Sequence, residues 1–170
     1  ASQLKKIVLK LARQWELRKE FIDWIESACT FVNTLVDRIV PGYPRENAVE
    51  ICEELGYNDQ LLDTTELFHL WVLEGPQAIA EELPFHKLGL NVVWTDDMTP
   101  YRTRKVRMLN GAHTSSVLGA YLAGIDTVGE MMSDDLFAKF VEKILLEEIL
   151  PQVPGEYESN RKFALSILDR

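Results

Sequence analysis

Strand-like sequence in this chain is confined to its first hundred residues, and no other feature constrains the fold as strongly. The segments ELFHLWVLEG and LNVVWTDD are rich in the β-branched and aromatic residues that favour strands, and GPQAIAEEL between them favours a short helix. After residue 100 the apolar residues follow helical spacing alone. The sequence therefore predicts a mainly α-helical protein with a small strand component.

Helical periodicity predicts the elements that precede these strands. An N-terminal helix, which we expect to pack inward, is indicated by Leu4, Ile7, Val8, Leu11 and Trp15. A short second helix follows over residues 21–25. A third helix covers NAVEICEEL, with Pro44 in its first turn and Gly56 as its stop.

The region after residue 100 carries further helix signals. Ser133 is the predicted N-cap of a helix through DDLFAKFVEKILLEEIL. The apolar stripe of that helix is predicted to consist of Leu136, Phe140, Ile144 and Ile149. Two prolines, at positions 151 and 154, then separate it from a last helix over residues 157–170.

Composition and charge exclude several classes of function. Apolar residues make up 46% of the chain and charged residues 26%, which is typical of a folded globular protein. The net charge of −9 argues against a nucleic-acid or anionic-membrane surface, since both require a cationic footprint. No apolar run approaches the roughly 18 residues that span a bilayer. Cys29 and Cys52 form no disulfide framework or redox motif, so we expect a cytoplasmic protein.

The segment KVRMLNGAH places three chemically useful side chains within nine residues: Lys105, Asn110 and His113. On a regular α-helix, with Lys105 at zero, His113 lies at roughly 80° and Asn110 at roughly 140°, so all three can face one cleft. A partly desolvated lysine can exchange a proton with a carbonyl or alcohol oxygen, and an asparagine amide can donate to that oxygen as charge develops. The spacing is compatible with a catalytic site that requires no metal.

An ordinary helix is the alternative, because a long helix in an acidic protein often carries one lysine, one asparagine and one histidine without any catalytic role. The flanking sequence favours catalysis. NGAHTSSVLGAYLAG is rich in Gly, Ala and Ser, which permit close approach of a ligand or of another backbone. Small residues around three long polar ones are typical of a pocket wall.

The segment YRTRKVR is strongly basic within an acidic chain. Such a pattern favours a site for a small anionic substrate, with Arg102 and Arg104 as candidate binding residues. A basic rim that pairs with neighbouring carboxylates explains any single arginine equally well. The three histidines do not lie at metal-ligand spacing, so a protein-bound metal is not expected, and His69 and His86 are predicted to be structural.

Four segments, in this order over most of the chain, carry a resemblance to a known family: TFVNTLVDRIVPGYP, HLWVLEG, KVRMLNGAH and AGIDTVGEMMSDD. In this combination the chain resembles the polyol-specific long-chain dehydrogenases, the family of mannitol dehydrogenase and the hexuronate reductases. The resemblance implies a zinc-independent, NAD-linked interconversion of a ketose acid and its alcohol. GYP after DRIVP and the run ELGYNDQLLDTTELFHLWVLEGP are most similar to the branch that acts on tagaturonate and altronate, with fructuronate and mannitol as alternatives.

The resemblance also implies roles for individual residues. Lys105 matches the family's lysine, which protonates the carbonyl oxygen as hydride arrives and removes the proton in the reverse direction. Asn110 matches the amide that stabilises the developing oxyanion, and His113 matches a histidine that binds and orients the substrate. Asn33 matches a second asparagine that contacts the oxygen. From the residues alone, Asn33 lies in an apolar run where a polar side chain pairs either with the core or with a ligand.

The resemblance further implies that residues 1–100 close a Rossmann-type nucleotide-binding domain and that residues 101–170 open an all-helical substrate domain. No glycine-rich phosphate loop occurs, so we do not expect this chain alone to bind NAD. The chain begins without Met and ends without a helix stop signal, which favours a fragment of a longer protein and hence uncovered surface and self-association. The alternative is a complete, non-catalytic helical interaction module.

Overall fold

The structure is a computed structural model that describes residues 1–170, and the chain divides into two units, Ala1–Asp96 and Asp97–Arg170. Helices dominate both units, and the sheet has three strands, all in the first unit. The predicted fold class, mainly α with a small strand component before residue 100, is confirmed. The nucleotide-binding and substrate roles of residues 1–100 and 101–170 remain predictions, because a division into units does not report function.

The first unit begins with two helices and continues with short strands and helices. Its elements are α1 (Ser2–Gln14), α2 (Lys19–Ala28), β1 (Asn33–Asp37), α3 (Ala48–Leu55), β2 (Leu70–Glu74), α4 (Gln77–Glu82), a 3-10 turn (Phe85–Leu88) and β3 (Val92–Thr95). The two predicted strands and the helix between them are confirmed as β2, α4 and β3. Helix α3 begins at Ala48 rather than at Pro44, and Gly56 ends it in the left-handed conformation, with φ of 76°.

The sheet has the order β1-β2-β3, with β2 in the middle. Strand β1 runs antiparallel to β2 and pairs Asn33 with Glu74, whereas β3 runs parallel to β2 and pairs Thr95 with Glu74. Strand β2 is covered by a neighbouring strand on each side, and its residue Val72 has no exposed surface. Because β2 and β3 are parallel, their carboxyl ends meet at the same edge of the sheet.

The apolar stripe predicted for α1 lies largely on the surface. Leu4, Ile7 and Trp15 are 57%, 54% and 65% exposed, whereas the buried residues of α1 are Leu9 and Ala12. The expectation that this stripe packs inward is therefore wrong for this chain. Apolar periodicity reports that a helix is amphipathic and does not report which of its residues are covered.

The second unit is entirely helical, and its helices contain two π segments, in which the backbone is wound more widely than in an α-helix. Its elements are α5 (Thr99–Lys105), a first π segment (Val106–Asn110), α6 (Gly111–Leu122), α7 (Val128–Ser133), α8 (Asp135–Lys143), a second π segment (Ile144–Ile149), a 3-10 turn (Leu150–Gln152) and α9 (Tyr157–Leu168). No helix in the chain combines the length and apolarity needed to cross a membrane.

The start of α8 and its buried face each differ by one residue from the prediction. Asp134, not Ser133, caps the helix, because its carboxylate accepts hydrogen bonds from the backbone N–H groups of the first turn. Leu136 is 75% exposed, whereas Val141 is buried among residues of α6 and α7. Two rows of apolar residues run side by side along α8, one containing Leu136 and the other Val141. The row with Val141 packs against α6 and α7 and is the one that is buried.

Candidate active site

Lys105, Asn110 and His113 lie on one continuous helix that contains the first π segment. Helix α5 ends at Lys105, the next five residues form the π segment, and α6 begins at Gly111. The backbone N–H of Gly111 donates to the carbonyl of Val106, five residues earlier, which is the hydrogen bond that defines a π turn. This turn therefore holds about one residue more than an α-helical turn.

The extra residue changes the angular positions of the three side chains around the helix axis. To allow for the extra residue, we subtract one from the number of residues that separate each later side chain from Lys105. Asn110 then lies at about 40° and His113 at about −20°. The angles calculated for a regular α-helix are therefore wrong, because the sequence carries no signal for the π turn. Calculated with the π turn, all three side chains fall on one face, within about 60° of each other.

The imidazole of His113 has a defined hydrogen-bond polarity. Its Nδ1 lies 2.8 Å from the backbone carbonyl oxygen of Leu109, in a half-buried position. A carbonyl oxygen only accepts, so Nδ1 must carry the proton of that bond. In the neutral ring Nε2 then has no proton and acts as an acceptor. A substrate hydroxyl is the kind of group that such an acceptor binds.

The polar residues that follow in the sequence are engaged with their own helix. Thr114 Oγ1 donates to the carbonyl of Asn110 at 2.8 Å, and Ser116 Oγ donates to that of Ala112 at 2.6 Å. Gly111 has a packing role as well, since a Cβ there would lie 3.3 Å from Ile149 Cδ1. Part of the small-residue pattern is thus explained by packing and helix geometry rather than by a ligand.

The arginines of the basic segment differ in what they contact. The guanidinium of Arg104 lies over the ring of Phe163, 4.7 Å from its centroid, and donates to Ser159 Oγ at 3.3 Å. Arg107 donates to the carbonyl of Gln152 at 2.6 Å. Arg102 is exposed on α5. Two of the three arginines therefore hold the helix against later parts of the second unit.

Asp97 lies at the start of this helix and was not predicted to contribute. Its carboxylate accepts from the backbone N–H of Thr99 at 2.8 Å. Hydrogen bonds from the Thr99 side chain and backbone, and to a lesser extent the positive charge of Arg102, lower the pKa of Asp97. The TDDMTP segment carries a signal for this contact, because aspartate before a helix start commonly accepts backbone hydrogen bonds.

Asn33 belongs to the first unit, at the beginning of β1. Its Nδ2 donates to Glu74 Oε1 at 2.7 Å, so the amide is engaged across the β1–β2 pair. The role of Asn33 at a reacting oxygen remains a prediction.

His69 is bound at both ring nitrogens, by the carbonyl of Leu67 and by the backbone N–H of Asn91, which supports the structural role predicted for it.

Two models of one protein family match this chain in succession. Residues 1–87 match the mannitol dehydrogenase Rossmann domain, and residues 97–170 match the mannitol dehydrogenase C-terminal domain. Among curated proteins, the altronate oxidoreductase of Pectobacterium carotovorum subsp. carotovorum (strain PC1) is 50% identical to this chain over 167 residues. The match covers 98% of this chain and 34% of that protein. The altronate oxidoreductase of Escherichia coli O6:K15:H31 is 47% identical over 167 residues, and this match covers 98% of the present chain and 35% of that protein.

Solved structures show the same fold. The chain resembles the Pseudomonas fluorescens mannitol 2-dehydrogenase in ternary complex with NAD and D-mannitol, with 29% identity and a TM-score of 0.72 over 98% of this chain and 33% of that one. A substrate-free D-sorbitol dehydrogenase is 26% identical, with a TM-score of 0.74 over 96% of this chain and 33% of that one. The chain spans about a third of the length of these relatives.

Proposed function

The chain belongs to the mannitol dehydrogenase family, and from this premise we propose that the complete protein that contains it is an NAD-dependent oxidoreductase interconverting tagaturonate and altronate. The observation that carries the proposal is the helix on which Lys105, Asn110 and His113 share one face. The identity of 50% to a protein named altronate oxidoreductase supports this substrate pair.

In the proposed reaction Lys105 handles the proton. NAD, when bound, carries the hydride that is exchanged with the carbon of the reacting carbonyl. The ammonium of Lys105 donates a proton to the carbonyl oxygen as the alcohol forms, and the neutral amine takes that proton back in oxidation. No zinc is required for these roles, since the oxygen receives its proton from Lys105 and a hydrogen bond from Asn110.

Asn110 and His113 are proposed to hold the substrate on either side of that proton transfer. The exposed amide of Asn110 donates to the oxygen while negative charge develops there, which lowers the barrier when the donor is fixed in advance. His113 Nε2 accepts from a neighbouring substrate hydroxyl, because Nδ1 is committed to the Leu109 carbonyl. Together the two contacts orient the carbonyl toward Lys105.

The first unit fits one edge of a dinucleotide site. Parallel strands β2 and β3 end together at Glu74 and Thr95, and ligands of open α/β sheets bind at the carboxyl ends of such strands. The glycine-rich loop that cradles a pyrophosphate is not among these 170 residues. We therefore propose that NAD binds the complete protein and that this chain alone is inactive.

Mannitol is the second candidate substrate, because a structural relative is described in complex with NAD and D-mannitol. The lower identity to that protein, 29% against 50%, favours the hexuronate. A non-catalytic interaction module is the other alternative, and it predicts no turnover of any ketose. Measuring NADH oxidation with tagaturonate, fructuronate and fructose in parallel separates all three.

Replacement of Lys105 tests the proposed chemistry. In the complete protein, Lys105→Ala is expected to reduce turnover by at least about a hundredfold, because general acid–base catalysis typically contributes that much. NADH binding, followed by its fluorescence, is expected to survive. Assays include a chelator, so that turnover by the unsubstituted protein reports on zinc independence. Retained turnover in Lys105→Ala would contradict the assigned role.

A further inference from the structure

The arginines of the basic segment are not equivalent, and their contacts indicate which one is available to a ligand. Arg104 is stacked on Phe163 and hydrogen-bonded to Ser159, and Arg107 is bonded to the carbonyl of Gln152. These guanidinium groups are turned toward their own unit. Arg102 and Arg107 are both exposed, and Arg107 differs in that its guanidinium is bonded to that carbonyl.

Arg102 lies on the same side of the helix as the proposed proton donor. It precedes Lys105 by three residues within α5, which is regular over Thr99–Lys105. Residues three apart on an α-helix are neighbours, about 60° apart around the axis and about 4.5 Å apart along it. The order along this face is therefore a guanidinium, an ammonium, an amide and an imidazole.

A ketose acid derived from a hexuronate has its two reactive ends at a similar spacing. Its ketone is next to the terminal hydroxymethyl group, and its carboxylate is at the opposite end of the chain. Four carbon–carbon bonds of about 1.5 Å separate the two carbons, so they lie about 5 Å apart when the chain is extended. With the carbonyl at Lys105 and the sugar chain directed toward the start of α5, the carboxylate lies about 5 Å away, close to the rise of about 4.5 Å between Lys105 and Arg102.

We propose that Arg102 binds the substrate carboxylate and thereby selects ketose acids over neutral ketoses. This inference rests on the proposed function and assigns the acid specificity of that site to one residue. The planar guanidinium presents five donors in a fork that matches both oxygens of a carboxylate.

Asp97 is a neighbouring carboxylate that lies close enough to Arg102 for their charges to interact. Its oxygen is fixed by the backbone N–H of Thr99, so its own position does not depend on Arg102.

The test compares the complete protein with Arg102→Gln, Arg102→Lys and Arg161→Gln. Arg161 is exposed on α9, so its replacement removes the same charge away from the proposed site. Arg102→Gln is expected to lower kcat/KM for tagaturonate by at least about tenfold, mainly through KM, because a hydrogen-bonded ion pair is lost. Arg102→Lys is expected to recover part of the loss, since it keeps the charge but not the fork. Neither change is expected to weaken inhibition by a neutral hexitol.

Each outcome has a separate meaning. Tagaturonate turnover by the unsubstituted protein establishes the proposed function independently of Arg102, and its absence overturns both proposals. If the unsubstituted protein is active and Arg102→Gln behaves like Arg161→Gln, the function stands and the carboxylate is bound elsewhere. If Arg102→Gln weakens tagaturonate and the neutral hexitol equally, Arg102 is not a specificity residue. Circular dichroism of all variants checks that they are folded.

Discussion

At the scale of single residues, residue type and spacing indicate the candidate side chains, but not the turn geometry or the hydrogen bonds that orient them. Lys105, Asn110 and His113 were apparent from residue type and spacing. The orientation of the His113 ring depends on a backbone carbonyl, and the sequence does not show that contact. The contacts of Arg104 depend on Ser159, 55 residues later, and on Phe163, so only the folded unit separates Arg104 from Arg102.

The hydrogen-bond polarity of His113 leads to a prediction about two amide substitutions. A glutamine side chain reaches about as far as Nε2 and places an acceptor oxygen there, whereas an asparagine side chain reaches only as far as Nδ1. We expect His113→Gln to retain a kcat/KM for tagaturonate roughly three- to tenfold above that of His113→Asn, the value of one hydrogen bond. A higher value for His113→Asn would show that Nδ1 is the group that faces the substrate.

At the scale of elements, most helices and both predicted strands followed from apolar periodicity, Gly and Pro. The π segment did not, because it is set by a backbone hydrogen bond over five residues, and the residue types at 106–110 do not distinguish it from an α-helical turn. Exact helix starts also differed: α8 begins after Asp134 rather than Ser133, since adjacent polar residues are both capable of capping and packing decides between them.

The start of α5 gives a pH-dependent prediction. The pKa of Asp97 is lower in the folded chain than the ordinary value of about 3.8 because Thr99 and, secondarily, Arg102 favour its charged form. A lowered pKa means stabilisation that is present above the unfolded pKa and is lost as the pH falls through the folded pKa.

The measurement is chemical unfolding of residues 1–170 as a function of pH. Asp97→Asn is expected to be less stable than the unsubstituted chain near neutral pH, with the difference shrinking below about pH 4. Asp96→Asn, at the adjacent position, serves as the control and is expected to show a smaller difference. A difference that is constant across the pH range would rule out a contribution from the Asp97 charge.

At the scale of the whole molecule, composition and element order predicted a mainly helical fold with its sheet before residue 100, and the structure confirms it. Exposure was not predictable in the same way. Leu4, Ile7 and Trp15 form the kind of stripe that normally indicates a buried face, yet these side chains lie on the surface of this chain. What covers a helix face is a property of the surrounding molecule and not of the helix sequence.

The exposed face of α1 predicts that residues 1–170 alone self-associate. Leu4, Ile7 and Trp15 together with Trp24 of α2, which is 54% exposed, present large apolar side chains that are stabilised by contact with another surface. Sedimentation over a range of concentrations is expected to show oligomers for the unsubstituted chain and a shift toward monomer for Ile7→Lys. Gln3→Lys, which adds the same charge at an exposed position of the same helix, is the control; an equal shift there would point to net charge rather than to the apolar face.

The bond between His113 Nδ1 and the Leu109 carbonyl limits which substitutions can alter this imidazole. The acceptor in this bond is the backbone carbonyl of residue 109, which is present whatever amino acid stands at that position in the helix. No exchange of a neighbouring side chain therefore removes that acceptor, and no compensating change elsewhere is needed to preserve it. The side chains around the site can thus change while the acceptor at Nε2 stays the same.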